Sequence, residues 1–112
     1  MEVKQWIEQG VTIALLAGEI NIDTVEVLEK TFNGFISEGT RKVVLNFSDV
    51  DYIDSMGMAS IVKFLRTIND VGGKVVLSNV SVKIMSIFRI TKVDTVFDIF
   101  DQEEDAVEGI KE

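Results

Sequence analysis

The sequence predicts one α/β domain built on a mixed β-sheet, opening with an antiparallel hairpin and continuing in β-α units. Three observations lead there. Two strand-forming runs at the N-terminus are separated by the turn signal Gln9-Gly10. Two later apolar runs, at 42–47 and 74–77, each follow a segment of helical periodicity. Glycines (Gly39, then Gly72-Gly73) stand where those helices hand over to strands. At 112 residues the chain is long enough for one core and too short for two, so residues 1–112 are read as a single domain.

The elements follow in order. Residues 3–8 and 11–17 form the hairpin, and Gly18-Glu19-Ile20-Asn21 leaves the sheet. Asp23 or Thr24 caps a first helix whose apolar positions Val25, Leu28, Phe32, Phe35 and Ile36 share one face. Residues 42–47 form a nearly continuous apolar strand suited to burial on both faces, followed by a tight acidic loop with Asp49, Asp51 and Asp54. A second helix spans about Met56 to Asn69. Met58, Ile61, Val62, Leu65 and Ile68 are its core stripe, with Lys63, Arg66 and Thr67 outward. After the strand at 74–77, Asn79 or Ser81 opens a third helix carrying Val82, Met85, Ile87 and Phe88. Residues 96–100 read as a short edge strand guarded by Asp98 and Asp101. An acidic tail helix then docks through Ala106, Val107 and Ile110.

Composition narrows the function classes. A net charge of −8 argues against nucleic acid and anionic lipid as partners, since both are held by basic patches. Cysteine and histidine are absent, which disfavours thiol chemistry, triad hydrolysis and zinc catalysis. The N-terminus lacks a signal-peptide pattern, and the longest apolar stretch is too short to span a bilayer. The expectation is a cytoplasmic protein with no cofactor, no metal and no catalytic residue.

The chemistry centres on Ser55, at the start of the second helix. One reading makes it an N-cap, its oxygen accepting from the amide of Gly57 or Met58. The other makes it a phosphate acceptor, because a helix N-terminus tolerates a dianion, and the nearby Asp54, Asp51 and Asp49 then add to a local electrostatic block. Gly57 allows close approach of another backbone or a phosphate donor, and Met56, off the core stripe, offers a flexible thioether to a partner. Asn21, Asp23 and Asn79 each follow a strand and are either turn residues or walls of the same pocket. The three aspartates are alternatively a magnesium site, the core of a phosphotransfer enzyme.

Gly18-Glu19-Ile20-Asn21, the run 43–48, Ile53-Asp54-Ser55 followed by Gly57-Met58, Gly72 through Leu77 and Asn79-Val80-Ser81 together resemble the STAS domain of bacterial anti-sigma-factor antagonists, over nearly the whole chain. The resemblance implies a mixed sheet with helices packed largely on one side. It implies binding to an anti-sigma factor that is itself a serine kinase, releasing a sigma factor. The kinase phosphorylates the serine after the aspartate, here Ser55, and binding is lost; a PP2C-type phosphatase restores it. The chain departs from the family at Met56, where Ser or Thr is usual, and at Asn21, where aspartate is frequent. The expected partner surface comprises Asn21, Asp23, Asp54, Ser55, Met56, Gly57, Ser60 and Lys63. A rival reading is a STAS-like accessory subunit that docks on a membrane-transporter ATPase and is never phosphorylated.

Overall fold

The computed structural model describes residues 1–111. Five strands form one sheet in the order β1-β2-β3-β4-β5. These are β1 (Glu2–Glu8), β2 (Val11–Ile20), β3 (Lys42–Ile53), β4 (Lys74–Ser78) and β5 (Ile99–Phe100). The first pair is antiparallel and the others are parallel. Helices α1 (Val25–Ser37), α2 (Ser55–Asp70), α3 (Val82–Ile90) and α4 (Glu103–Lys111) complete the domain, with a 3-10 turn at Val93–Thr95.

Alternation along the strands sorts the core into two layers. Ala14, Leu16, Val43, Leu45, Phe47, Val75 and Leu77 face α1, α2 and α3. Val11, Ile13, Val44 and Val76 face the other way and are covered by Ala106, Val107 and Ile110 of α4. Three helices therefore lie on one side and one on the other, and the tail helix docks through the expected residues. On the three-helix side, Phe32 of α1 and Phe64 of α2 stack with ring centroids 4.0 Å apart, a pairing that favours close approach of the two helices. Phe64 belongs to the buried stripe of α2 although it lies outside the set expected from spacing.

The strands differ from expectation in one informative way. The expected acidic loop after Phe47 is not a loop: β3 continues to Ile53, and β2 runs with it to Ile20. Register shifts occur twice, between Leu15 and Ala17 and between Gly18 and Glu19, and each time β3 carries one residue more than β2. A bulge of this kind changes the inward period from two to three. Phe47, Val50 and Ile53 consequently all point into the core, while Ser48, Asp49, Asp51 and Tyr52 face solvent. The polar pairs that read as a loop are the outward residues of a bulged strand.

Smaller corrections have similarly local causes. The last strand is two residues rather than 96–100, because Phe97 is drawn into the core and Asp98 turns out to bond Lys74 at 3.0 Å. Val82 and Ile36 lie outside the buried set, with Val82 85% exposed and Ile84 taking its place in the core. Asn79 does not open α3; it sits at φ +56 one residue beyond β4, and Ser81 is the cap.

Candidate functional site

The site lies at the C-terminal end of the parallel strands, where β2 and β3 release their chains into α1 and α2. Asp54 is the hinge between β3 and α2. Its backbone N–H donates to the carbonyl of Ile20 at 3.0 Å, which extends the β2–β3 pairing by one step. Its carboxylate then serves two segments at once. Oδ1 accepts from the N–H of Gly57 at 2.9 Å, the N-cap bond of α2. Oδ2 accepts from the N–H of Ile22 at 3.1 Å and ties down the loop after β2.

That loop has its own internal brace. Asn21 Oδ1 accepts from the N–H of Asp23 at 2.9 Å and of Thr24 at 3.2 Å. The Thr24 hydroxyl donates to the Glu19 carbonyl at 2.8 Å and accepts from the Asn21 N–H at 2.9 Å. Thr24 is the N-cap of α1 by position, but its side chain makes no cap bond into that helix. Asn21 is thus a turn-making residue and Asp23 is exposed beside it.

With Asp54 as the cap, Ser55 becomes the first residue of α2. Its N-cap reading is therefore overturned: the oxygen that accepts from Gly57 belongs to the aspartate. Ser55 is exposed, on the first turn of a sixteen-residue helix whose unpaired amides and dipole favour negative charge. Met56 beside it is 49% exposed, and Ala59 one turn on is exposed too.

Two expected surface residues face inward instead. Gly57 is buried, and a Cβ placed on it would lie 2.6 Å from Ile20 Cγ2 and 2.9 Å from Ile53 Cγ1. Its missing side chain serves the packing of α2 against β2 and β3, not the approach of a partner. Ser60 is only 7% exposed and lies on the side of α2 facing Phe32 and Ile36 of α1. Lys63 is exposed, as expected.

The structure also adds residues that spacing did not single out. Ile22 is 67% exposed on the loop after β2, Tyr52 stands outward near the end of β3, and Val82 opens α3 after β4. All are carried by segments leaving the same end of the sheet as Ser55. The Lys83 ammonium lies 5.8 Å from the centroid of the Tyr52 ring and so joins the third helix to this edge. An apolar residue projecting from a loop or cap, out of phase with its element, was the only trace they left in the sequence. From Ser55 an open groove of about 500 Å³ runs along α2, floored by Ala59, Val62 and Val93 and edged by Lys63, Arg66 and Asp70. An open apolar floor with a charged rim suits a protein partner, and not a small ligand enclosed in a cavity.

The three aspartates do not converge. Asp49 and Asp51 project from the outward face of β3 while Asp54 is committed to two backbone amides. Among the described residues no group of three or more carboxylate, imidazole or thiol side chains is placed to hold a metal ion. No helix among them is long and apolar enough to cross a membrane.

A mixed five-stranded sheet of this order with four helices is the STAS fold, and the chain belongs to that family: the STAS domain model matches residues 5–106. It is 30% identical over 106 residues, 94% of each chain, to a Thermotoga neapolitana protein named "Putative anti-sigma factor antagonist". It is 32% identical over 76 residues, 68% of this chain and 70% of the other, to the anti-sigma-B factor antagonist of Staphylococcus aureus. The crystal structure of a Thermotoga maritima protein of the same description superposes with a TM-score of 0.92 at 29% identity, covering 98% of this chain and 95% of that one.

Proposed function

We propose that this chain is an anti-sigma-factor antagonist whose docking surface is switched by phosphorylation of Ser55. In the unmodified state the edge formed by Ile22, Asp23, Tyr52, Met56 and Val82, with the groove past Lys63, binds an anti-sigma factor that is also a serine kinase, and the sigma factor is released. Transfer of the γ-phosphoryl group of ATP to Ser55 adds a charge of about −1.5 to −2 in the middle of that surface. Docking is lost until a PP2C-type phosphatase removes the group. The chain acts as a substrate and a switch, with no cofactor of its own.

One observation carries this reading: Asp54 performs the capping that the serine would otherwise perform, which leaves an exposed hydroxyl with no structural duty at a helix N-terminus. The helix amides partly neutralise the added charge, so the domain keeps its fold while its surface becomes locally more negative. Docking on a transporter ATPase draws no comparable support, because the relatives described above carry the antagonist name.

The test is phosphorylation of the purified chain by candidate partner kinases with ATP, followed by mass spectrometry of the peptide containing Ser55 and by calorimetric titration of the partner. Phosphate should appear on Ser55, and Ser55→Ala should bind without being modified. Phosphate on another residue, or equal affinity of modified and unmodified chains, overturns the reading.

A further inference from the structure

The free edge of the sheet at β1 is built differently from the edge at β5. β5 is two residues long and flanked by the Lys74–Asp98 ion pair. β1 offers seven residues, and no proline or bulge interrupts it. The turn to β2 has positive φ at both Gln9 (53°) and Gly10 (80°), the type I′ geometry. Such a turn makes Glu8 and Val11 a hydrogen-bonded pair, and the alternation then directs the backbone groups of Glu8, Trp6 and Lys4 toward β2. Those of Val3, Gln5 and Ile7 point away from the sheet with no strand to receive them.

The side chains on this edge combine the charged Glu2, Lys4 and Glu8 with exposed apolar residues. Trp6 is 39% exposed and Ile7 is 75% exposed. Lys4, Trp6 and Glu8 stand opposite Leu15, Ile13 and Val11, so the three share the face on which α4 packs.

We propose that β1 pairs antiparallel with β1 of a second copy of this chain, about a two-fold axis at Trp6, joining two five-stranded sheets into one. Charge selects the register. An axis at Gln5 sets Glu2 against Glu8 of the second copy twice, and an axis at Lys4 sets the two lysines face to face. An axis at Ile7 leaves Lys4 opposite Gly10. Only the axis at Trp6 places Lys4 opposite Glu8 on both sides, flanking a Trp6–Trp6 pair. That register also puts the two tryptophans at a non-hydrogen-bonded position, where cross-strand side chains are closest, and lets Gln5 and Ile7 exchange about four backbone hydrogen bonds.

The pairing is weak by construction. One strand edge buries less than the roughly 1,200 Å² of a stable interface, so the dimer dissociates on dilution. It leaves Ser55 free, because Trp6 pairs with Ile13 in the first half of β2 whereas Ser55 follows the far end of β3.

Sedimentation equilibrium of the full chain from about 10 μM to about 1 mM should show a monomer–dimer equilibrium, as expected of an interface below the standard size. Lys4→Glu and Glu8→Lys should each weaken it by about tenfold or more, because each change places like charges in both symmetry-related pairs. The double variant carrying both changes should restore it to within about threefold, since the pairs are remade with the charges exchanged. Trp6→Cys should form a disulfide dimer under mild oxidation, and Ile7→Cys should not, because the two-fold axis brings only position 6 against itself. All four positions are exposed, and circular dichroism verifies the fold of each variant. A chain that stays monomeric near 1 mM, a dimer indifferent to either charge reversal, or a double variant no better than the singles overturns the proposal.

Discussion

Two helices in this domain begin with a serine beside a parallel strand end, and the two hydroxyls have opposite fates. Ser81 precedes α3, and its Oγ accepts from the N–H of Ile84 at 3.2 Å, so it is an ordinary N-cap. Ser55 opens α2 one position later in its helix, because Asp54 already occupies the cap. The difference does not lie in residue type, exposure or neighbouring strand. It lies in a carboxylate that bonds the Gly57 amide with one oxygen and the Ile22 amide with the other. A serine tied into its own helix has a cap bond to lose, whereas one displaced from the cap does not.

That contrast can be broken in several ways. The largest effect is expected on binding. Ser55→Asp should lower affinity for the proposed anti-sigma-factor partner by about 100-fold, equivalent to about 2.7 kcal/mol. Ser81→Asp, which keeps a capping oxygen, should change affinity by less than about fivefold, since aspartate and serine cap comparably. Calorimetric titration of both variants tests whether the block is specific to the displaced hydroxyl or common to the whole edge.

Asp54→Ala comes next. It removes the cap of α2 and the anchor of the loop at Ile22 together, and should cost about 2 kcal/mol in urea denaturation, the sum of a typical cap and a charge-assisted bond partly replaced by water. A loss no larger than that of an isolated cap would mean that the loop holds itself through Asn21 and Thr24. Gly57→Ala should destabilise by about 1.5 kcal/mol, since overpacking against Ile20 and Ile53 outweighs the gain in helix propensity. A stabilised variant would show that α2 shifts freely on the sheet.

The smallest effects give the sharpest comparison. Ser81→Ala should cost about 1 kcal/mol and Ser55→Ala less than about 0.5 kcal/mol, the difference between a cap and an uncommitted surface residue. Equal losses would put both serines in structural service and remove the basis of the switch.

Much of this architecture was legible from residue order. The apolar face of α1 reappears with Val25, Leu28, Phe32 and Phe35 buried, and the hairpin turns at Gln9-Gly10. The second half of β3 was not legible, because two bulges turn an alternating pattern into one with inward residues every third position. The orientation of Ser60 and Gly57 was hidden for a different reason. Small residues carry too little hydrophobic signal to say which helix face they occupy, and only the nearness of α1, Ile20 and Ile53 assigns them to the interior.

The chain's own order of apolar and turn residues determined the elements, the hairpin and a helix beginning near Asp54 and Ser55, because local periodicity and capping act within a few positions. Tertiary structure alone decided which of those two neighbours became the cap. The choice depends on the Ile20 carbonyl and the Ile22 amide, which are more than thirty positions away in the chain. It likewise decided that α4 covers the opposite face, where its Glu103 accepts from the buried Asn46 amide at 2.8 Å. Partners so far apart in sequence meet only once the sheet has set its register, and no pattern of neighbouring residues encodes that meeting.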